Sequence, residues 1–249
     1  MNRAAAIQAL GGLALAPAPA RAGGGVPVFM LHHVNDTRPA SPIALGLTFP
    51  TEHFEELLRY LAAHRIATMT AGELVDTIRR GHLSLPGAHP AVVVLTFDDG
   101  YADAATVVFP LLRRYGMRAT FFVNDGTLGL RGHMSYRDLR TLHAAGCEIG
   151  AHGMHHLDLT TLSREEQLHE AGDCVARIAR YTGIRPVSYA YASGSYNATT
   201  LSVMREIGMQ SAWTEIVGPV RDLRHPYQMP RLRIARDTST SQFAAMAAT

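Results

Sequence analysis

Two adjacent aspartates, Asp98 and Asp99, end the apolar run of "VVVLTFDDGYADA" (92–104). Neighbouring carboxylates raise the cost of ionising one another, so a pair at the mouth of a buried segment calls for a partner. Asp-Asp-Gly also makes a good turn, since Asp favours turns and Gly100 permits positive φ. A second constellation favours chemistry: "CEIGAHGMHHLDL" (147–159) is another apolar segment running into a loop, and it delivers His152, His155 and His156 within five residues. Two imidazoles and one carboxylate form a common ligand set for a catalytic divalent cation, with positions left for water and substrate. A cation would also resolve the carboxylate problem, holding one Asp ionised as a ligand and leaving the other free as a base. The spacing leaves open which of the three histidines would ligate.

Both constellations need strand ends to hold them. "VPVFMLHHV" (26–34) reads as a buried strand, followed by a loop over 36–50. "TEHFEELLRYLAAH" then has Thr51 as N-cap and a helical apolar stripe at Phe54, Leu57, Leu58 and Leu61. Further along, strands are predicted at "IATMT", "AVVVLTF", "RATFFVN", "CEIGAH", "VSYAYA", "QSAWTEI" and "PRLRIAR". Helices are predicted at "AGELVDTIRRG", near 103–115, near 135–145, from Ser163 to Thr182, near 197–207 and at the C-terminus. Strand-length apolar runs alternating with helices indicate βαβ units around a parallel sheet or barrel. In such folds catalytic groups gather at the carboxyl ends of the strands, where the aspartates and histidines fall.

The 249 residues suit one large domain, and a 47% hydrophobic content supplies a full core. The net charge of +2 comes from 23 Lys+Arg against 21 Asp+Glu, and without Arg3 and Arg21 the balance is even. No basic stripe of the kind a phosphate backbone demands is present, which argues against a nucleic-acid partner. The leader "MNRAAAIQALGGLALAPAPARAGGG" has Arg3, a small-residue apolar run, and "ARA" before three glycines. It reads as a signal peptide over residues 1–22 with cleavage near Ala22, leaving one domain over 23–249 in a periplasmic or secreted protein. Gly11, Gly12 and Pro17 break that run and no later stretch is better suited to spanning a membrane, so no integral membrane segment is expected. Cys147 and Cys174, the only cysteines, read as two structural thiols.

"LTFDDGY", "HGMHH" and "YAYASGSYN", in this order, resemble the first three motifs of the NodB-type polysaccharide deacetylases, carbohydrate esterase family 4. The likeness runs over roughly residues 26–236 and implies an α/β fold, a distorted (β/α) barrel of about seven strands. Carried over residue by residue, it makes Asp98 the general base and Asp99, His152 and His156 the metal ligands, in an H-[S/T]-x-x-H pattern where Gly153 replaces the Ser or Thr. His155 has no role in that pattern, and Asp158 is expected to cap or orient the loop. Zn²⁺ is the default cation for this donor set, with Fe²⁺, Co²⁺ and Ni²⁺ also suited.

The third motif is usually "YPYG" in exported members; here it is "YASG" (191–194), with Ala192 for proline and Ser193 for tyrosine. The resemblance assigns the Ser193 backbone N–H to the oxyanion, a role that survives a change of side chain. It points to Tyr191 and Trp213 as substrate contacts and to Arg231 as a contact of substrate or of Asp98. The late "L-x-H" histidine of the family has no counterpart, since His225 in "RHPYQ" is not at a strand end. Exported deacetylases acting on poly-N-acetylglucosamine carry a "YHxV" segment near the N-terminus, and Leu31-His32 resembles it as if the strand order were circularly permuted. His32 is then the general acid, because a barrel has no intrinsic first strand. The implied reaction is metal-dependent removal of acetyl groups from an N-acetylglucosamine-containing polysaccharide, the expected partner. An O-acetyl esterase acting on xylan or another acetylated glycan, and a catalytically idle carbohydrate-binding protein, are the alternatives.

Overall fold

Stretches rich in Val, Phe and other apolar residues, broken by Gly and polar turns, form ten strands among the residues described by the computed structural model, 24–81 and 92–248. The leader with its cleavage near Ala22, and Ala91 at the head of one expected strand, lie outside the described residues. The strands are β1 (Val28–Leu31), β2 (His33–Val34), β3 (Thr48–Phe49), β4 (Ala67–Met69), β5 (Val92–Phe97), β6 (Thr120–Val123), β7 (Glu148–Ala151), β8 (Ser188–Ala190), β9 (Ser211–Val217) and β10 (Met229–Arg233). From β5 to β10 each strand pairs in parallel with the next, and β1 fills the gap between β10 and β5, with Phe29 opposite Leu232 and Val28 opposite Val94. Seven parallel strands therefore close into a barrel, the fold the sequence resemblance implies. β4 stands outside the ring: it pairs with Val92–Val94 along the edge of β5 that β6 takes over at Thr96 and Phe97.

Alternation along the strands divides the core in two. Val28, Val94, Phe122, Ala190, Trp213 and Met229 belong to one cluster inside the ring. Phe29, Leu95, Phe121, Ile149, Tyr189 and Ala212 belong to the larger cluster shared with the helices.

The helices are α1 (Pro42–Gly46), α2 (Thr51–Ala63), α3 (Ala71–Arg79), α4 (Phe109–Arg114), α5 (Tyr136–Ala144), α6 (Arg164–Gln167), α7 (Cys174–Thr182), α8 (Ala198–Glu206) and α9 (Thr240–Ala247). The single helix expected from Ser163 to Thr182 is α6 and α7 joined by a π-helical turn, Leu168–Asp173. Thr51 is not the N-cap of α2: Pro50 holds that position, and the Thr51 N–H donates to Asp36 Oδ1 at 3.0 Å. The expected loop 36–50 holds α1, started by Pro42 and capped by Ser41, and β3, which pairs with β2. Helix α3 closes the barrel end remote from the aspartates. Its Ala71, Leu74 and Val75 join the inner cluster, and its first N–H groups donate to Thr120 Oγ1 and Glu148 Oε2 at the starts of β6 and β7. Cys147 and Cys174 are buried free thiols.

Inside the ring Gly150 on β7 leaves room for the Phe122 ring, since a Cβ there would lie 2.4 Å from Phe122 Cδ1. Gly150→Ala is expected to destabilise the fold by about 1–3 kcal/mol, the usual cost of overpacking. Gly46→Ala, where a Cβ meets nothing within 4 Å, is expected to change stability by less than about 1 kcal/mol. Urea unfolding of the two variants, compared at a common slope, checks the contrast.

Candidate active site

Asp98 and Asp99 follow the last residue of β5, and β1 lies alongside, so the Asp98 N–H donates to the Leu31 carbonyl at 2.9 Å. The Asp98 carboxylate is 3% exposed and takes a two-pronged contact from Arg231 of β10, which is 1% exposed: Nη1 to Oδ1 and Nη2 to Oδ2, both at 2.8 Å. Arg231 is itself fixed by Nε donating to the Thr214 carbonyl and Nη1 donating to Thr96 Oγ1, with Phe122 beneath its guanidinium. Burial works against ionising Asp98, but Arg231, aided by His152, outweighs it and holds the carboxyl below its ordinary pKa. Arg231 is thus a contact of Asp98, one of the two roles suggested for it by the sequence, and is itself buried.

Asp99 turns the other way. With a φ of +74° it points at the loop after β7, where its Oδ1 lies 3.3 Å from His152 Nε2 and 3.4 Å from His156 Nε2. His152 is buried, and its Nδ1 lies 2.8 Å from the Ala190 carbonyl. A carbonyl can only accept, so Nδ1 carries the proton and Nε2 is left with its lone pair toward Asp99. Asn124, at the end of β6, holds the same residue through its backbone, donating to the His152 carbonyl at 2.7 Å. His156 completes the group from the rim, 44% exposed, at a φ of +59°. One ligand atom from each of Asp99, His152 and His156 can be chosen so that all lie within 4.8 Å of one another.

These residues fit a metal ion on two grounds. Asp99 Oδ1 is buried yet has no hydrogen-bond partner among the described residues, and a buried acceptor without a partner needs explaining. The site also attracts positive charge. Against the effect of burial, Asp99 and Asp98 together with the Ala190 carbonyl raise the pKa of His152, while the imidazoles keep Asp99 below its ordinary value. His155 is outside the group, its N–H donating to Glu170 Oε1, and Asp158 caps a short 3₁₀ turn by accepting from the Thr160 N–H.

His32 follows β1 directly and is close enough to feel both aspartates. Burial lowers its pKa, and the pull of Asp98 and Asp99 recovers only part of that. His33 turns aside to Asp103, with its ring stacked on Tyr101 at 3.5 Å. Ser193 is exposed in the turn after β8, at a φ of +54°. That turn is pinned against β9, since a Cβ on Gly194 would lie 2.6 Å from the Glu215 nitrogen. Among the described non-glycine residues, Arg65, Asp99, His156 and Ser193 have positive φ, and two of the four, Asp99 and His156, belong to the candidate metal group. Such backbone costs of order 1–3 kcal/mol per residue and persists where its surroundings enforce it.

Two residues expected as substrate contacts, Trp213 and Tyr191, are placed in the interior. Trp213 is fully buried inside the ring, its Nε1–H donating to Ser211 Oγ at 3.1 Å, because its position on β9 points inward one layer below Arg231. Tyr191 is buried with its hydroxyl donating to the Tyr227 carbonyl, and its ring stacks on the half-buried Tyr196. Asn124 and Thr96 were missed by the sequence reading. The strand-end rule that selects Asp98 and His152 selects Asn124 as well, whereas nothing marks Thr96 as more than a strand residue.

Among curated proteins, the chain is similar to YxkH of Bacillus subtilis, at 26% identity over 220 residues covering 88% of this chain and 75% of that one. Among solved structures it resembles the deacetylase PplD of Streptococcus pyogenes in complex with acetate, with a TM-score of 0.82, 22% identity, and coverage of 90% of this chain and 99% of that one. It also resembles IcaB from Ammonifex degensii, with a TM-score of 0.76, 24% identity, and coverage of 91% and 98% respectively. At these identities the two structures establish the fold. Residues 87–212, which include both aspartates, the histidine loop and the turn at Ser193, match the family described as polysaccharide deacetylase, and the chain belongs to that family.

Proposed function

We propose that this chain is a metal-dependent N-deacetylase of an N-acetylglucosamine-containing polysaccharide, exported by its leader to act outside the cytoplasm. The observation that carries the reading is the partnerless, buried Asp99 oxygen facing two imidazoles, next to an Asp98 held ionised by Arg231. A divalent cation bound by Asp99, His152 and His156, Zn²⁺ by its donor set with Fe²⁺, Co²⁺ and Ni²⁺ as the other candidates, would polarise the acetyl carbonyl and acidify a water. Asp98 accepts the proton of the attacking water, and its pairing with Arg231 keeps it ionised while buried. The Ser193 N–H, in the turn after β8, donates to the developing oxyanion. His32 delivers a proton to the departing amine nitrogen, and burial, by lowering its pKa, makes its imidazolium a stronger acid. The products are acetate and a free amine on the sugar.

The activity is tested by acetate release from chitin oligomers and from acetylxylan; release from acetylxylan alone would replace the amide reading with an esterase. Within the site, Asp98→Asn and Asp99→Asn are expected to differ. Both lose most of the activity, but only Asp99→Asn also loses metal, because an amide is a poorer ligand than a carboxylate. Equal metal content in the two purified variants would refute this division of roles.

Metal analysis of the histidine variants gives a second check. His152→Ala and His156→Ala are expected to purify depleted of metal and His155→Ala to retain it, so depletion in the His155 variant alone would reverse the ligand choice.

His32→Ala is expected to keep its metal and fold while losing roughly 10²–10⁴-fold in turnover on an amide substrate, the scale of general acid–base catalysis. The loss should be smaller on an activated aryl acetate, whose leaving group needs no proton, and equal losses on both would count against an acid at this position.

A further inference from the structure

The loop that carries His152 and His156 is held by a residue outside every sequence motif. Glu170 lies in the π-helical turn between α6 and α7 and is 5% exposed. Its Oε1 accepts from the His155 N–H at 2.7 Å and more weakly from the Leu157 N–H at 3.3 Å, the two N–H groups that flank His156. Its own carbonyl accepts from the Met154 N–H at 3.0 Å. One residue thus fixes three of the four N–H groups from Met154 to Leu157, around the point where His156 adopts a φ of +59°. A left-handed, non-glycine residue needs such external restraint, and a carboxylate accepting backbone N–H groups makes charge-assisted bonds, roughly twice as strong as neutral ones.

Gly153 is explained by the same contact. A Cβ at that position would lie 2.6 Å from Glu170 Oε1, at a φ of +95°. The carboxylate occupies the space beside residue 153, so the Ser or Thr of the H-[S/T]-x-x-H pattern does not fit here. Near a functional site a π-helical turn is a common way of re-aiming one side chain, and here the turn contains the residue that faces the loop.

We propose that Glu170 is a positioning residue for the metal centre, presenting His156 to Asp99 and His152 by clamping the backbone on either side of it. The inference rests on the metal-centre reading above, and its test separates the two. Zn²⁺ affinity of the full chain is measured by chelator competition, alongside thermal melting of the metal-free protein, for the unmodified chain, Glu170→Ala, Glu170→Gln and His152→Ala. Glu170→Ala is expected to bind Zn²⁺ about 10–100-fold more weakly, the usual effect of removing a group that orients a ligand. Glu170→Gln, which keeps an acceptor oxygen, is expected to recover most of the affinity. Unchanged affinity in Glu170→Ala, where His152→Ala has lost its metal, overturns the positioning role alone. An unmodified chain without Zn²⁺ affinity, or a His152→Ala variant that retains it, overturns the metal centre and this role with it. If Glu170→Ala does not melt cooperatively, Glu170→Asp decides: its carboxylate is withdrawn by one methylene, so weaker binding supports the clamp and unchanged binding overturns it.

Discussion

A carboxylate and a guanidinium, both almost without solvent, meet at the mouth of the barrel, and much of the site follows from that meeting. Asp98 comes from β5 and Arg231 from β10, which are not neighbours in the ring: β1 runs between them. The pair therefore spans three strands, tying the strand that carries the aspartates to the last strand of the sheet. Burying two charges is costly, and removing one partner from such a pair typically costs about 3–5 kcal/mol. Here the arrangement is supported from all sides, by Thr96 and the Thr214 carbonyl on the guanidinium and Phe122 below it. The packing chain reaches further down, since Phe122 has its place only because β7 presents Gly150 to it.

With Asp98 occupied by Arg231, Asp99 is left as the carboxylate without a cation. The backbone turns it away from its neighbour, so two like charges adjacent in sequence face different partners. This separates two roles that the sequence presents as one pair: Asp98 held ionised by a fixed charge, and Asp99 left with an acceptor that nothing in the described protein fills. The strained φ values at Asp99 and His156 mark the places where folding preference yields to this geometry.

Much of this was legible in the sequence because it is local. Apolar runs and helical stripes gave the alternating elements, and Asp98, Asp99, His152 and His156 stand at strand ends within short motifs. The neighbourhood of His32 and Asp98 required more than periodicity, because only ring closure places the first strand beside β5. The interior placement of Trp213 and Tyr191 is not legible in the sequence, for a physical reason. Both sides of a barrel strand are apolar, so composition does not say which residues point into the ring, which face the helices and which rise to the rim. Glu170 was hidden for another: it sits mid-helix in sequence, and the π turn that shifts the helical phase around it has no signature in the apolar pattern.

The position of β1 between β5 and β10 bears on how the chain acquires its site. The two strands flanking β1 are hydrogen-bonded to it across long stretches of sequence, and contacts of such separation form late and slowly. Arg231 lies 133 residues after Asp98, so the carboxylate meets its counter-charge only when β10 docks beside β1. The barrel is closed and the buried carboxylate paired in one event. Ring closure and charge neutralisation are thus coupled: without β10 in place, the carboxylate that follows β5 has no guanidinium to face.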